Sequence, residues 1–220
     1  MKNVVLVIAV HPDDETLGAG GTILKHKNNG DEIHWLICSS LDEGHSYYET
    51  REKEIMHVSN QYGFDSVHNL RLKTTQIDEY SMGDLVDKIS KVIKKIKPNI
   101  LFLPFYADPH SDHRQIFEAA YACTKSFRNP FLKKIYMMET LSETEFAPCI
   151  NGANFAPNVF VDISDYLEKK VEIMKNYVSE MSSHPFPRNE KNIRALATIR
   201  GATSGCEFAE SFMLLKETIS

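Results

Sequence analysis

The sequence predicts an α/β fold in which a mostly parallel sheet is covered on both faces by helices. Val4–Val10 is a continuous apolar, β-branched run, the pattern of a strand buried on both faces. Met82, Leu85, Val86, Ile89, Val92, Ile93 and Ile96 recur at the 3, 4, 7 spacing of an amphipathic helix, with lysines on the opposite side. Strand-like and helix-like segments alternate through the first two-thirds of the chain, as parallel crossover units require. The 220 residues suit one domain, 1–220. Surface scaling gives roughly 10,000 Å² folded against roughly 36,000 Å² unfolded, so a core forms without a disulfide or a structural metal.

In chain order, the strand Val4–Val10 is followed by a helix from about Thr16 to Asn29, with Gly30 as its stop. Gly18, Gly20 and Gly21 in its first turns allow close approach to a neighbouring backbone. Ile33–Cys38 reads as a second strand, and the polar Leu41–Glu49 as a loop. Thr50–Tyr62 is helical and Gly63 ends it. A short strand near Val67–Leu70 precedes the helix that Pro98 closes, and Ile100–Phe105 is the fourth strand. A helix opening near Ser111–Asp112 carries Ile116, Phe117, Ala120 and Cys123 on one side, and Lys134–Met138 is the fifth strand. The pattern is lost over Leu141–Pro157, which reads as a long irregular loop. Val159–Asp162 is strand-like, Asp165–Val178 helical, Ser182–Arg188 a loop, Glu190–Arg200 helical and Phe208–Leu215 strand-like.

Composition narrows the function classes. The net charge is −5, and no dense Lys/Arg cluster provides the basic face of a nucleic-acid binder. No apolar run approaches the length that spans a membrane. The first apolar run ends in His-Pro-Asp-Asp-Glu, not in a small-residue cleavage site, so it does not read as a signal peptide. Cys38, Cys123, Cys149 and Cys206 form no C-x-x-C pair. Reduced, mostly buried thiols in a cytoplasmic protein are expected.

The chemistry concentrates in two segments. The first strand ends in His11-Pro12-Asp13-Asp14-Glu15, and the fourth leads into Tyr106-Ala107-Asp108-Pro109-His110-Ser111-Asp112-His113. In open parallel sheets, ligands bind at the carboxyl ends of the strands. With a 3-2-1-4 strand order both segments meet at one rim. So many acids and imidazoles in a small volume lose solvation or repel unless something compensates, and a divalent cation does so directly. Imidazole plus carboxylate suits catalytic zinc, and two histidines with one carboxylate also form the facial triad of non-haem Fe2+ enzymes. A solvated acidic loop with histidine caps accounts for either segment alone more readily than for both at equivalent strand ends. Gly18-Ala19-Gly20-Gly21 lacks the third glycine of a dinucleotide fingerprint, no phosphate-binding G-x-x-x-x-G-K-[ST] occurs, and Gly201-Ala202-Thr203-Ser204-Gly205 is not G-x-S-x-G.

Ala9-Val10-His11-Pro12-Asp13-Asp14-Glu15 with the later Pro109-His110-Ser111-Asp112-His113 resembles the PIG-L/LmbE-like family of N-deacetylases. Glu43-Gly44, Arg51-Glu52, Val161-Asp162-Ile163-Ser164, Arg200-Gly201 and Ala209-Glu210-Ser211-Phe212 extend the similarity over most of the chain. The resemblance implies a Rossmann-like three-layer sandwich and a zinc-dependent hydrolase, one Zn2+ per chain, that removes acetyl from an N-acetylglucosamine-type amino sugar or its conjugate. It implies His11, Asp14 and His113 as metal ligands, Asp13 as general base, His110 as electrophilic or acid partner with Asp112 orienting it, and Arg51 and Glu43 as substrate contacts. The departing amine takes its proton from either Asp13 or a cationic His110, whose pKa a carboxylate neighbour such as Asp112 would raise, and the sequence leaves the two open.

Two positions depart from the family pattern. Asp108 stands where some members carry a tyrosine, and Arg71-Leu72-Lys73-Thr74-Thr75 lacks an acidic sugar contact. Arg71 or Lys73 would favour a phosphorylated or nucleotide-linked sugar, or else both are ordinary solvated bases. Among the other histidines, His45 and His184 fall nearest the expected rim, and His26, His34, His57 and His68 read as surface or core residues. Two alternatives stand beside the sugar deacetylase: a deacylase of another small-molecule amide, and a metal-dependent carbohydrate-binding protein without turnover. The expected partner is a small-molecule N-acetylated sugar, with no nucleic acid and no membrane, and the sequence leaves a homo-oligomer open.

Overall fold

In the computed structural model, which describes residues 2–150 and 152–219, seven strands and six helices form three layers. In chain order they are β1 (Val4–Ala9), α1 (Asp14–Asn28), β2 (Glu32–Ser40), α2 (Tyr48–Tyr62), β3 (Ser66–Lys73), α3 (Met82–Ile96), β4 (Ile100–Leu103), α4 (Ser111–Ala122), β5 (Lys134–Met138), β6 (Val159–Asp162), α5 (Leu167–Met174), α6 (Glu190–Ser204) and β7 (Ala209–Glu217). The sheet order is β3-β2-β1-β4-β5-β7-β6. β1 to β5 pair in parallel, and β7 runs antiparallel to both β5 and β6. The order reverses between β1 and β4, so the turns that follow those two strands face each other across the switch point.

The alternation of β1 divides the core. Val5, Val7 and Ala9 pack with Leu17 and Ile23 of α1, Val58 of α2, Val171 of α5 and Ile193 of α6 on one face. Leu6, Ile8 and Val10 pack with Leu85, Ile89 and Ile93 of α3 and Ile116 and Ala120 of α4 on the other. The accessible surface is 10217 Å², in line with the scaling for this mass. At Gly20 and Gly21 a Cβ would meet Tyr62 Oη at 2.6 Å and Ile163 at 2.7 Å, so the close approach of α1 is to side chains of α2 and of the β6–α5 turn rather than to backbone.

The expected elements are present, with shifts that have physical causes. α2 begins at Tyr48, inside the expected loop, and its αL cap is Gly63 with φ 67°. The final helix runs on to Ser204 and is capped by Gly205, which absorbs the Gly201–Gly205 stretch. The helix expected over Asp165–Val178 stops at Met174. Beyond it, Tyr177 Oη donates to Glu15 Oε1 at 2.8 Å and the Val178 amide to Glu54 Oε1 at 3.1 Å, and these tertiary bonds draw the chain out of the helix. The irregular segment after β5 holds one short 3-10 turn, Thr144–Phe146, and its Asn151 lies outside the described residues. Cys38 and Cys123 are buried, Cys149 is exposed and Cys206 half-buried, and all four are free thiols, so only half of them meet the expectation of burial.

Candidate active site

The β1–α1 turn is built to present two adjacent carboxylates. Asp14 opens α1, and its Oδ2 accepts the backbone N–H groups of Val10 at 2.9 Å and His11 at 2.8 Å, which folds the side chain back over the strand end. Asp13 adopts φ 135°, a region costly for a residue with a Cβ, and is nevertheless buried. That conformation lets Asp13 and Asp14 line the same cavity although they are consecutive. The turn rests on Glu15, which accepts the Asp13 amide at 3.1 Å and the Thr16 and Tyr177 hydroxyls at 2.6 and 2.8 Å. Burial pushes the Glu15 carboxyl up to about 7.

Across the switch point, the turn into α4 supplies His110 and His113. His113 is fully buried, and its Nδ1 lies 2.8 Å from Oδ2 of the equally buried Asp108. Thr144 Oγ1 donates to the other Asp108 oxygen at 2.9 Å. His11 Nε2 lies 3.3 Å from Asp112 Oδ2. Each ring therefore has its far nitrogen held by a buried carboxylate, which leaves His113 Nε2 at 3.4 Å and His11 Nδ1 at 3.9 Å from Asp14 Oδ2. His113 Nε2 is buried without a hydrogen-bond partner. One donor atom from each of His11, Asp14 and His113 falls within 4.8 Å of the others. Carboxylate-anchored imidazoles converging with a carboxylate oxygen on one point are the donor set of a divalent transition metal, so these residues fit one. His11, His110 and Asp112 also cluster, but the Asp112 carboxylate is already occupied by His11 and by the Thr75 and Ile77 amides at 2.8 and 3.2 Å.

The electrostatics follow the same arrangement. Burial acts to raise the Asp14 carboxyl, yet His113 and His11 overcome it and hold it well below the usual range. Burial acts to lower His113, yet Asp14 and Asp108 raise it well above its ordinary value, so the two carboxylates favour positive charge at this point. Burial, then Asp14 and Glu180, push Asp13 well up, against the pull of Arg188.

One expectation is corrected here and one alternative is removed. The Asp112 carboxylate orients His11, not His110; it is the Asp112 backbone amide that donates to His110 Nδ1, at 3.1 Å. His110 is not cationic: burial, reinforced by His11, pushes it down to about 4 and outweighs the Asp112 charge, which is turned toward His11 and two amides. Its Nδ1 accepts, so its Nε2 carries the proton of the neutral ring.

Above this floor lies a cavity of about 280 Å³ lined by the floor residues together with Arg51, Glu143, Glu180 and Arg188. Arg51 reaches it from α2, as expected, but not as a free fork. It donates to Pro12 O at 2.9 Å, to Ser179 Oγ at 2.8 Å and to Glu180, pairs with Glu54 at 3.1 Å, and lies between the Tyr47 and Tyr177 rings. Glu43 is not brought to the cavity. It is exposed, in a loop closed on itself by the His45 amide bonding Asp42 O and the Tyr48 amide bonding His45 O. His184 is likewise exposed and does not line the cavity, nor does His45. Arg71 is exposed and pairs with Glu52 and Tyr48, and Lys73 is exposed outside the cavity. Sequence reading assigned no role to Glu143, Glu180 and Arg188, and it read Asp108 only as a missing tyrosine. The sole signal for Asp108 was its place five residues before His113, in the same turn.

A family model described as GlcNAc-PI de-N-acetylase, PIG-L, matches residues 6–124, which contain every residue of the metal-type cluster. The diacetylchitobiose deacetylase of Thermococcus kodakarensis is 26% identical over 220 residues, covering 94% of this chain and 80% of that protein. A probable N-acetyl-alpha-D-glucosaminyl L-malate deacetylase 2 of Bacillus anthracis is 26% identical over 202 residues, covering 83% of this chain and 84% of that protein. Among solved structures, a conserved protein from Thermus thermophilus superposes with TM-score 0.80 at 24% identity, covering 99% of this chain and 97% of that one, which is a likeness of fold. With the matched segment spanning more than half of the chain and both site turns inside it, this protein belongs to the PIG-L family.

Proposed function

We propose that this protein is a hydrolase, working as a single domain, that removes acetyl from an N-acetylglucosamine-type amino sugar or its conjugate, with one zinc ion per chain held by His11, Asp14 and His113. The observation that carries the reading is the pair of imidazoles anchored by Asp108 and Asp112 and converging with Asp14 on one point, beside a second carboxylate, Asp13, that is free of that point. The relatives' names supply the substrate class. A binding protein without turnover has no use for a strained, buried Asp13 beside the ligand Asp14.

When bound, zinc supplies Lewis acidity toward an amide carbonyl and makes a nearby water more acidic. Asp13 takes a proton from the attacking water as the new C–O bond forms. As the C–N bond breaks, the same carboxyl returns a proton to the departing amine. Its place in the cavity beside Asp14, free of the point where the ligand atoms converge, suits both halves of that exchange. The neutral His110, with Nδ1 occupied, has its Nε2–H available to the carbonyl oxygen as negative charge develops there. Arg51 fixes the Pro12 carbonyl and Glu180, and so holds the turn that carries Asp13 while bordering the substrate.

No helix among the described residues is long and apolar enough to cross a membrane. The four free thiols favour a cytoplasmic location. Acetate release from free, glycosidically linked and nucleotide-linked N-acetyl sugars tests the activity, and metal analysis of the wild type and His113→Ala tests the centre. About one zinc per chain in the wild type, lost in the variant, is expected. Full occupancy in His113→Ala overturns the ligand set, and no acetate from any sugar overturns the function.

A further inference from the structure

We propose that the cavity selects amino sugars whose linked group is uncharged, and rejects conjugates that carry a carboxylate or phosphate beside the sugar. This rests on the deacetylase reading and specifies its substrate class.

Four carboxylates line the cavity, Asp13, Asp14, Glu143 and Glu180, against two guanidinium groups, Arg51 and Arg188. Both guanidinium groups are already paired with a carboxylate. Arg51 is engaged by Glu54 and Glu180 and by the Pro12 carbonyl. Arg188 donates from Nε to the Glu180 carbonyl at 2.9 Å, from Nη2 to Glu180 Oε2 at 3.1 Å and from Nη1 to Ser142 Oγ at 3.0 Å, and its Nε lies 3.8 Å from Asp13. Glu180 thus bridges both arginines from a segment between α5 and α6.

The energetic consequence has a clear sign. An anionic substituent entering this cavity would lose hydration and gain no unpaired cation, while lying beside Glu143 and Glu180. To reach Arg51 or Arg188 it would have to displace Glu180, whose own charge would then need a partner. Arg71 and Lys73, the two bases that the sequence offers for an anionic sugar, are exposed and outside the cavity. What remains at the rim is suited to hydroxyls: Ser40, Thr74 and Thr75 are uncharged, and the Glu143 and Glu180 carboxylates accept hydrogen bonds from sugar OH groups. The occupant that fits is a neutral saccharide. In this respect the chain is set apart from the relative whose name specifies an L-malate conjugate.

The test compares kcat/KM for acetate release by the metal-loaded full chain on three probes: N,N'-diacetylchitobiose, N-acetylglucosaminyl malate and N-acetylglucosamine 1-phosphate. Uncompensated like charges in a binding site cost enough that both anionic probes should fall about 100-fold or more below the neutral one. An anionic probe turned over within about threefold of the neutral one, or faster, overturns the proposal. Acetate from none of the three overturns the deacetylase reading itself, and this inference with it. Glu180→Gln provides a second arm, because it removes the one carboxylate that Arg51 and Arg188 share, while Arg51 stays paired with Glu54 and Arg188 with Ser142 Oγ. The anionic-to-neutral ratio should then rise about tenfold or more, and an unchanged ratio refutes the assignment of Glu180 as the residue that neutralises them.

Discussion

The floor of the cavity comes from the two turns that follow β1 and β4, whereas its wall comes from Arg51 of α2, the segments that follow β2, β3 and β5, and the stretch between α5 and α6. The side chains of Asp108, Asp112 and His113 on the floor are 0% exposed, while His11 at its edge, at 21%, is as open as Glu180 and Arg188 on the wall, at 23% and 22%. Floor groups are held by backbone amides and by one another, as Asp14 is by the Val10 and His11 amides and Asp112 by those of Thr75 and Ile77. Wall groups are held mainly by side chains of opposite charge. The difference separates two tasks. Chemistry is placed where backbone amides and buried carboxylates fix the geometry, and discrimination is placed where exchanging one charge alters the field without moving the reacting atoms.

Breaking the floor should produce the largest effects. Asp13→Asn preserves shape, and it should retain metal while kcat falls by about 10²–10⁴, or roughly 2.7–5.5 kcal/mol of transition-state stabilisation. A loss below about tenfold in metal-replete protein would reassign Asp13 to a structural role. One step behind, Asp108→Ala removes the anchor of His113 Nδ1 and should weaken metal affinity by about 10–100-fold, read by competitive chelator titration. Unchanged affinity would mean that packing alone orients the ring.

Variants of the wall sharpen the comparison because they should spare the metal. Arg51→Ala should lower kcat/KM by about tenfold with full metal content. It should also destabilise the fold by about 3 kcal/mol, since it leaves Glu54, which is buried, without its cation. Denaturant titration separates that loss from the kinetic one, and metal loss in this variant would dissolve the division between floor and wall. A smaller signature concerns pH. His110, pushed down to about 4, stays neutral above that value, so lowering the pH from about 8 to about 6 should not protonate it. Hence His110→Gln should lower kcat without removing any limb of the pH–rate profile between those values, and disappearance of a limb there would show that the ring titrates. The smallest effect belongs to Glu43→Ala, expected within about twofold of wild type on both kcat and KM. A tenfold loss would bring that loop into the cavity.

The sequence by itself determined the α/β class and the two turns that carry the chemistry, because each has a short-range signature, whereas the strand order that brings those turns together was only a condition until the fold supplied it. Apolar runs and the 3, 4, 7 spacing specify buried strands and helix faces locally. His11 and Asp14, and likewise His110 and His113, are separated by only three residues within one turn. Tertiary structure decided which carboxylate serves which imidazole, exchanging the expected Asp112–His110 pairing for Asp112–His11 and Asp108–His113. It also ended α5 at Met174, so that Tyr177 reaches Glu15, 162 residues away, and Glu180 reaches Arg51, 129 residues away. Partners that far apart leave no periodicity in the chain. They are selected when the desolvation of buried charges must be met by whatever group the packed fold brings within bonding distance.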